Sequence, residues 1–518
     1  MGRNRFMKKE IKKVHRPYFT NPLFGGADPC VARDDEGYYH YVVARGDGIY
    51  LFRSRTLSDP GVPRRVYTFP LRSDGTPILQ SVWAPEIHKI GGEWYIYFTA
   101  SEEVACFETW HLRRMYVLHA VDVMGEFGDL SLLTLDEKMS IDGTVLQMPS
   151  GELYMVYMRN ESPCRPKKED PTAHHNKLYI AKMRDPMHIE SAPTLLTEPE
   201  YDWEGDICEG PFPLVRNGKV FLLYSGNAAH LVDYCIGLLT CIDPENPMNK
   251  ASWVKSPVPV FKEWGDVLGP GHASVVLSPD GSEHWLLYHS KEDRADTIPE
   301  GWKRVVNAKK IEWNEDGTPD FGVPPQFGER LRLPSGESDI WIEGGSVKGE
   351  AASLSEDLQC YASGVFGYSV NENSICVRHN TRNPTKLFFR RYEWTDATVT
   401  AEMVCDTDEY ESGFAVRASY VALGHNRMDG YLALFHKGTV TVYRVDGDTR
   451  HALVSAPVEL PKVAFCAGFR AEKDRLSVFV GEKEVCSCFD GTYSSGRTGF
   501  YCDADTEIRF VEVCSLND

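Results

Sequence analysis

Residues 83–101 read WAPEIHKIGGEWYIYFTAS, and this stretch decides the class of fold. It opens with a polar, turn-forming motif, runs through a short strand-like segment to the turn IGGE, and ends in a run rich in aromatic residues. Aromatic and β-branched residues bounded by glycine turns are typical of β-strands. The stretch therefore predicts a motif, a strand, a tight turn and a second strand.

The same order of features occurs five times along the chain. The opening motifs are Ala27-Asp28-Pro29, Trp83-Ala84-Pro85-Glu86, Ile141-Asp142-Gly143, Cys208-Glu209-Gly210 and Gly269-Pro270-Gly271-His272. The turns that follow them read DDEG, IGGE, PSGE, RNGK and PDGS. The motifs begin about 55 to 65 residues apart, which suits a four-stranded propeller blade with long loops. With no useful helical period, the sequence predicts an all-β protein with a five-bladed β-propeller.

A composition change divides the chain. The segment IEWNEDGTPDFGVPPQFGERLRLPSGES is rich in proline and glycine and predicts a boundary between residues 335 and 340. Beyond it come strand-like runs such as ATVTAEMV, SGFAVRAS and GYLALFH, without the earlier repeat. Such runs fit a two-sheet sandwich. We therefore expect a propeller over residues 1–335 and a β-sandwich over residues 340–518.

Charge and composition limit the partners and the location. The formal net charge of −19 repels phosphate backbones and anionic lipid heads, so we expect neither a nucleic acid nor a membrane as partner. A membrane span needs about 18 apolar residues in a row, and the sequence has no such run. The basic N-terminus is not followed by an apolar region, and the 14 cysteines form no CxxC pattern. These features predict a cytoplasmic protein with reduced thiols, while disulfides stay open as an alternative.

The blade-opening motifs supply a candidate active site. The innermost strands of a propeller line its axis, so equivalent residues of different blades converge there. The motifs contribute Asp28, Glu86, Asp142, Glu209 and His272. Crowded carboxylates drive each other's pKa values apart, which lets one serve as base and another as acid. Glycoside hydrolysis needs this pair. A single Asp before Pro or Gly is more often a turn residue, so the recurrence in register carries the hypothesis.

The motifs as a set resemble one known family. ADP at residues 27–29, WAPEIH at 83–88, SIDGTVL at 140–146, CEGPFPL at 208–214 and GPGHAS at 269–274 resemble glycoside hydrolase family 43, as does RVVNAKKIEWNEDGTPDFG at 304–322. The resemblance runs from Asn21 to Pro325 in family order. It implies an inverting hydrolase on a five-bladed propeller that acts on α-L-arabinofuranosides or β-D-xylosides.

The resemblance also implies roles for individual residues. Asp28 would be the general base, Glu209 the general acid, and Asp142 the residue that tunes and orients the acid. Inversion leaves room for a water molecule, so we expect the Asp28 and Glu209 carboxyls about 6.5 to 9.5 Å apart. Trp83 would be the aromatic beside the first sugar. His272 would be the axial histidine that faces a structural Ca²⁺ or Na⁺ ion, often through water, and no cofactor is required.

Other residues admit two interpretations each. For Glu86 a structural role is favoured over a catalytic one. Arg304 opens the last strand of the propeller, where it either contacts sugar or is a solvated strand-end charge. Phe212 and Trp203 flank the acid and either stack on a sugar ring or, as favoured for Phe212, belong to the core. The adjacent His174-His175 pair is interpreted as part of a rim loop.

The leading functional hypothesis is an exo-acting enzyme that releases terminal α-L-arabinofuranose or β-D-xylose from oligosaccharides derived from plant cell walls. The alternatives are an endo-acting arabinan hydrolase, a non-catalytic glycan-binding propeller, and a retaining fructosidase. Arg184-Asp185-Pro186 resembles a signature of fructan-cleaving propellers, but its place at a strand end favours a simple turn. The C-terminal part resembles a concanavalin-like sandwich, which either packs against a propeller or binds glycan.

Overall fold

The computed structural model describes residues 13–103, 110–134, 136–160, 176–292, 294, 303–338, 340–364, 367–390 and 392–516. The rim loop predicted around His174-His175 lies outside these residues. In the described ranges, helix is limited to the short 3₁₀ turns Trp110–Leu112, Asp202–Glu204, Lys250–Ser252 and Ala351–Asp357. None of the helices found there is long and apolar enough to cross a membrane.

The chain divides into two compact units. Residues 26–327 and 334–337 form the first, and residues up to 25, 328–333 and those from 338 onward form the second. The first strands in the chain belong to the second unit: β1 (Lys13–His15), β2 (Tyr18–Thr20) and β3 (Phe24–Gly25).

The first unit consists of five antiparallel sheets in chain order, which confirms the predicted propeller. Blade 1 contains β4 (Cys30–Arg33), β5 (Tyr39–Arg45), β6 (Gly48–Ser54) and β7 (Val62–Thr68). Blade 2 contains β8 (Gln80–Ile90), β9 (Glu93–Ser101), β10 (Arg114–Ala120) and β11 (Gly128–Leu132). Blade 3 contains β12 (Met139–Gln147), β13 (Leu153–Asn160), β14 (Lys177–Asp185), β15 (His188–Ile189) and β16 (Thr194–Thr197).

The last two blades follow the same plan. Blade 4 contains β17 (Cys208–Arg216), β18 (Lys219–Gly226), β19 (Cys235–Cys241) and β20 (Trp253–Lys255). Blade 5 contains β21 (Leu268–Leu277), β22 (His284–Lys291), β23 (Arg304–Trp313) and β24 (Pro319–Asp320). The five turns predicted from the sequence each join the first two strands of a blade, and each contains a glycine with positive φ: Gly37, Gly92, Gly151, Gly218 and Gly281.

Apolar layers between successive blades hold the propeller together. Side chains alternate across a strand, so each sheet presents apolar residues to both neighbours. In β9, Ile96 and Phe98 belong to the core shared with blade 1, whereas Tyr95 and Tyr97 belong to the core shared with blade 3. A third layer joins blades 3 and 4. The aromatic-rich runs of the sequence are therefore mainly packing residues.

The second unit contains two large sheets, as the predicted sandwich requires. Its strands are β25 (Arg330–Arg332), β26 (Ile340–Glu343), β27 (Val347–Glu350), β28 (Leu358–Tyr361), β29 (Ser369–Val370), β30 (Ile375–Val377), β31 (Thr385–Phe389), β32 (Tyr392–Glu393), β33 (Ala397–Cys405), β34 (Ser412–Ser419), β35 (Met428–His436), β36 (Thr439–Gly447), β37 (Thr449–Pro457), β38 (Phe465–Glu472), β39 (Arg475–Val480), β40 (Lys483–Phe489), β41 (Arg497–Cys502) and β42 (Thr506–Ser515). One sheet has the order β29-β30-β42-β33-β38-β39-β40, with β27 also paired to β42. The other has the order β28-β31-β41-β34-β35-β36-β37. A shared core that includes Val399, Phe414, Phe435 and Phe469 unites them.

The N-terminal segment completes this second unit. Strand β1 pairs with β26, and β2 pairs with β25. Arg16 donates two hydrogen bonds to the carboxylate of Glu393, from Nε at 3.0 Å and from Nη2 at 2.5 Å. The sequence interpretation assigned residues 1–335 to the propeller, whereas by their contacts residues 13–25 and 328–333 group with the sandwich.

Candidate active site

The innermost strands of the blades share one backbone irregularity. Each of the strands β8, β12, β17 and β21 contains a β-bulge. Between two successive paired positions the inner strand advances three residues, whereas the neighbouring strand advances two. Such β-bulges redirect side chains. In the bulge common to the four strands one residue has positive φ, namely Ala84, Asp142, Gly210 and His272; β8 and β21 contain a second bulge, with positive φ at Ser81 and Gly269. Asp28 has the same conformation just before β4, with a φ of 48°.

This irregularity shows which acids are equivalent. Asp28 and Asp142 both occupy the positive-φ position. Glu209 precedes the positive-φ residue of its blade by one position, and Glu86 follows that of its blade by two. The assumption that four carboxylates recur at one equivalent place is therefore wrong. The bulges nevertheless bring three of the four together, because they change which side chains face the axis.

A cavity of about 440 Å³ contains the predicted acids. Asp28, Asp142 and Glu209 line it, and so do Trp83, His272 and Arg304. The remaining lining residues are Met139, Ile141, Asn176, Ile207, Ala228, Ala229 and His230. Five separate blades thus contribute to one pocket, and six of the residues proposed from the sequence lie in it.

Asp28 is surrounded by nitrogen atoms. Its Oδ1 lies 3.0 Å from Nη1 of Arg304, 3.1 Å from Nδ1 of His289 and 3.3 Å from Nδ1 of His272. Burial by itself raises the pKa of the Asp28 carboxyl, but the Arg304 guanidinium and then the two histidines lower that pKa well below its usual value. Asp28 is therefore an ionised carboxylate at any physiological pH.

Asp142 has the opposite tendency. Its Oδ2 accepts a hydrogen bond of 3.1 Å from the backbone N–H of Gly210, and its own N–H donates to Oγ1 of Thr99. Burial, together with the nearby charges of Glu209 and Asp28, raises the pKa of Asp142 despite the opposing effect of His272. Asp142 therefore resists ionisation while Asp28 is charged.

Glu209 is also held toward its protonated form. Burial raises the pKa of Glu209 to about 7, with a further contribution from the negative charge of Asp28. The hydroxyl of Tyr234 donates to Oε1 of Glu209 over 3.1 Å, and the Asn176 side chain forms a second hydrogen bond to the carboxyl; both oppose the rise. The cavity therefore places an ionised carboxylate near a carboxyl that carries a proton up to about neutral pH, which is the pair that general acid–base catalysis requires.

The buried guanidinium of Arg113 lies over the ring of Trp83 and fixes its position. The guanidinium carbon of Arg113 lies 3.6 Å from the centre of the Trp83 ring, and Arg113 has no exposed surface. A cation over the face of an indole is attractive, more so away from water. Arg113 thus holds the aromatic wall of the cavity in place.

The surroundings of His272 bear on the metal ion that the resemblance implies. In the ranges that the structure describes, no group of three or more His, Cys, Asp or Glu side chains is arranged to hold a metal. His272 instead contacts Asp28, and its ring packs against Gly210, where an added Cβ would lie 3.0 Å away.

Four other residues singled out from the sequence lie outside the cavity. Glu86 accepts a 2.8 Å contact from Nε2 of His88, which agrees with a structural role. Phe212 is a core residue that packs against the His88 ring and lines a different cavity, as the interpretation favoured from the sequence expects, and the alternative of a sugar contact in the acidic cavity is not supported. Trp203 donates to the carbonyl of Pro257 and stacks on Tyr201. Asp185 of the RDP run lies at the end of β14, where the chain turns into β15.

The sequence interpretation missed three residues that contact the acids: Tyr234, His289 and Asn176. None belongs to a blade-opening motif; Tyr234 precedes β19, His289 lies in β22 and Asn176 precedes β14. His289, which follows the apolar run LLY in the second strand of the fifth blade, was the one available signal, and a histidine buried in the core for structural reasons explains it equally well.

The fold and this acidic cavity define a propeller-type glycoside hydrolase. The family model described as Glycosyl hydrolases family 43 matches residues 19–319. The chain belongs to this family, which confirms the resemblance seen in the motifs.

Three individual proteins illustrate what this chain is similar to. The extracellular exo-α-(1→5)-L-arabinofuranosidase of Streptomyces avermitilis is 34% identical over 321 residues, which are 59% of this chain and 63% of the relative. The crystal structure of an α-L-arabinofuranosidase from Lactobacillus brevis is 31% identical, covers 60% of this chain and 98% of its own, and gives a TM-score of 0.53. Xylan β-1,4-xylosidase of Bacillus halodurans is 14% identical, covers 96% of this chain and 100% of its own, and gives a TM-score of 0.51. The last likeness concerns the fold alone.

The cytoplasmic location expected from the sequence is contradicted. The chain spans less than two thirds of the Streptomyces avermitilis relative, but that relative is named as an extracellular enzyme. The cysteines that the structure describes are all free thiols, and free thiols do not decide a compartment. The expectation was drawn from the N-terminal residues, which carry no packing information.

Proposed function

We propose that this protein is an inverting exo-α-L-arabinofuranosidase with Asp28 as general base, Glu209 as general acid and Asp142 as the residue that tunes and orients the acid. One observation carries the proposal: within a single cavity, Asp28 is stabilised as an anion while the pKa of Glu209 is raised to about 7. These are the two protonation states that inverting hydrolysis needs at the start of a turnover.

The reaction follows from these protonation states. Asp28 accepts a proton from water as the water oxygen bonds to the anomeric carbon. The glycosidic C–O bond breaks, and the leaving oxygen takes the proton of Glu209. The negative charge of an ionised Glu209 raises the pKa of Asp142, so the two carboxyls do not readily lose their protons together. The sugar leaves with inverted configuration, and solvent restores both protonation states.

Arabinofuranose is the sugar we favour over xylose. The Streptomyces avermitilis and Lactobacillus brevis relatives, both above 30% identity, are named arabinofuranosidases, whereas the named xylosidase is 14% identical and supports the fold only. The proposed substrate is an arabinose-containing glycan. Because the Streptomyces avermitilis relative is named as an extracellular enzyme, we also propose that this enzyme works outside the cell.

Two chromogenic substrates test this assignment. Nitrophenyl α-L-arabinofuranoside and nitrophenyl β-D-xyloside are compared with wild-type protein, and proton NMR follows the anomer that forms first. We expect preferential release from the arabinofuranoside, with the inverted anomer appearing before mutarotation. Cleavage of the xyloside alone would reject the sugar assignment, and a retained anomer would reject the mechanism.

The alternatives predict different products. An endo-acting enzyme shortens linear arabinan without early release of monosaccharide, so chromatography of the first products separates endo from exo action. A non-catalytic glycan-binding propeller binds arabino-oligosaccharides, as measured by calorimetry, and leaves every bond intact. Location is tested by comparing activity in the culture medium with activity in the cell fraction.

A further inference from the structure

Two stacked rings connect the acid and the base of the cavity. The rings of Tyr234 and His289 lie parallel, with an angle of 3° between them and 5.4 Å between their centres. The Tyr234 hydroxyl donates to Oε1 of Glu209 over 3.1 Å, and Nδ1 of His289 lies 3.1 Å from Oδ1 of Asp28. Both rings are fully buried. Each ring therefore touches one of the two reacting carboxyls and the other ring.

The Tyr234 ring is confined on two sides. On one side the ring stacks on His289, and on another it lies against the backbone of Gly271 in β21. A Cβ added at Gly271 would lie 2.2 Å from the Tyr234 ring, a distance at which something must shift. Glycine at this position in the fifth blade thus makes space for a tyrosine that comes from the fourth.

We propose that Tyr234 is the positioning residue of the general acid, which orients the Glu209 carboxyl and sets the pH above which it stops working as an acid. This inference rests on the proposed function and adds a residue that none of the blade-opening motifs contains. Tyr234 does not line the cavity, so it acts through Glu209 and not on the sugar.

The electrostatic reason is the direction of the hydrogen bond. A hydroxyl that donates to a carboxylate stabilises the charged form and so lowers the carboxyl's pKa. The other groups that face Glu209 are Asp28, which opposes its ionisation, Arg304 and Asn176, which favour it, and Asp142, whose own pKa is raised when Glu209 is charged. His272 and His289 face Asp28. Tyr234 is therefore one of three groups that keep the acid from binding its proton too tightly to transfer it.

The main test is Tyr234→Phe, which keeps the stacked ring and removes only the hydroxyl. The pH profile of kcat/KM is measured on the arabinofuranoside. We expect its alkaline limb to move to higher pH by about one unit, as loss of a hydrogen bond to a charged group implies. We expect kcat at the wild-type optimum to fall about 10-fold through loss of orientation, with KM little changed.

A second buried tyrosine in the same blade provides a matched control. Tyr224 donates to Oε1 of Glu204 over 2.7 Å, and neither residue lines the cavity. Tyr224→Phe should lower thermal stability and leave the pH profile of kcat/KM unchanged. A Tyr234→Phe profile that coincides with the wild-type profile would overturn the inference, and so would an equal shift in Tyr224→Phe.

A turnover-independent measurement separates this inference from the proposed function. The free energy of unfolding is followed against pH in wild type, Tyr234→Phe, Glu209→Gln and the double variant. If Tyr234→Phe raises the pKa of Glu209, the free energy of unfolding should keep decreasing up to a higher pH than in wild type. The reason is that the folded variant holds the Glu209 proton over a wider range of pH in which the unfolded chain has already lost it. In the Glu209→Gln background the Tyr234→Phe change should not alter this pH dependence. Equal pH dependence in wild type and Tyr234→Phe would reject the coupling even if no glycoside is cleaved.

Discussion

Nη1 of Arg304, at the start of the last long propeller strand, lies 3.0 Å from Oδ1 of Asp28, at the opening of the first blade. The Arg304 and Asp28 side chains are 9% and 18% exposed, so water screens their attraction only weakly. The contact joins the first and fifth blades across the closure of the ring. The sequence offered a sugar contact or a solvated charge for Arg304, and the structure makes it a buried partner of the candidate base.

Removing the guanidinium should disable the base at acidic pH. Arg304→Met takes away the largest influence that lowers the pKa of Asp28, and burial then raises that pKa. We expect the acidic limb of the kcat/KM profile to move to higher pH. Arg304→Lys retains a positive charge and should shift the limb less. An acidic limb that stays in place in Arg304→Met would contradict the role of the ion pair.

The acid and base variants should differ in their dependence on the leaving group. Glu209→Gln removes the proton donor, so a natural disaccharide should be cleaved about 10² to 10⁴-fold more slowly. A dinitrophenyl glycoside, whose leaving group needs no protonation, should keep most of its rate. Asp28→Asn removes activation of water and should slow both substrates. Circular dichroism checks that each variant is folded, and equal losses for Glu209→Gln on both substrates would refute its role as acid.

Glu209→Gln should also make the protein more stable at alkaline pH. The pKa of Glu209 is raised to about 7 in the folded protein, so between its unfolded value and 7 the folded state holds a proton that the unfolded chain has lost. Stability from this group is therefore lost as pH rises through that window. We expect Glu209→Gln to gain about 1 to 3 kcal/mol at pH 8 and nothing at pH 4.

Glu204, a carboxyl whose pKa is lowered in the folded protein, serves as the control for that measurement. Burial raises the pKa of Glu204, but hydrogen bonds from Lys255 and from backbone N–H groups lower it overall. Glu204→Gln should thus lose stability at pH 8. Denaturant unfolding at both pH values measures these changes, and a Glu209→Gln protein less stable than wild type at pH 8 would exclude a raised pKa.

Alanine substitutions at two glycines with positive φ separate the effect of backbone strain from the effect of crowding in the cavity. At Gly210, with a φ of 52°, an added Cβ would lie 3.0 Å from the His272 ring. At Gly218, with a φ of 78°, an added Cβ would meet nothing within 4 Å. Alanine at either position costs about 1 kcal/mol of strain. Gly210→Ala should also reduce kcat, because it displaces His272 and the N–H that binds Asp142, whereas Gly218→Ala should leave kcat unchanged in a steady-state assay.

The repeat made most of the propeller predictable from the sequence. Motif, turn and aromatic run recur, and each predicted turn joins the expected pair of strands. Trp83, His272 and the acids Asp28, Asp142 and Glu209 were found because they lie in the motifs. The acids of the motifs were wrongly taken to occupy equivalent positions, because a bulge changes the direction in which a side chain points and the sequence alone does not show the bulge.

What the sequence did not reveal depends on contacts between distant residues. Tyr234 reaches Glu209 from a loop, and Arg304 meets Asp28 only when the ring closes. Phe212 follows the acid by three residues, yet the strand turns it toward the core, away from the cavity. The location failed for a different reason: it was inferred from the start of the chain, and no packing or chemistry tests such an inference.

The pairing of β1 with β26 has a consequence for synthesis of the chain. Lys13 pairs with Ile342, so the first strand leaves the ribosome long before its partner exists. At about 5 to 20 residues per second, the delay is on the order of tens of seconds. The blades, whose strands are neighbours in sequence, are made entirely within that interval. Nascent protein would therefore carry an unsatisfied N-terminal edge throughout propeller translation, an opportunity for chaperones to bind and a reason to keep residues 13–25 when the sandwich is expressed alone.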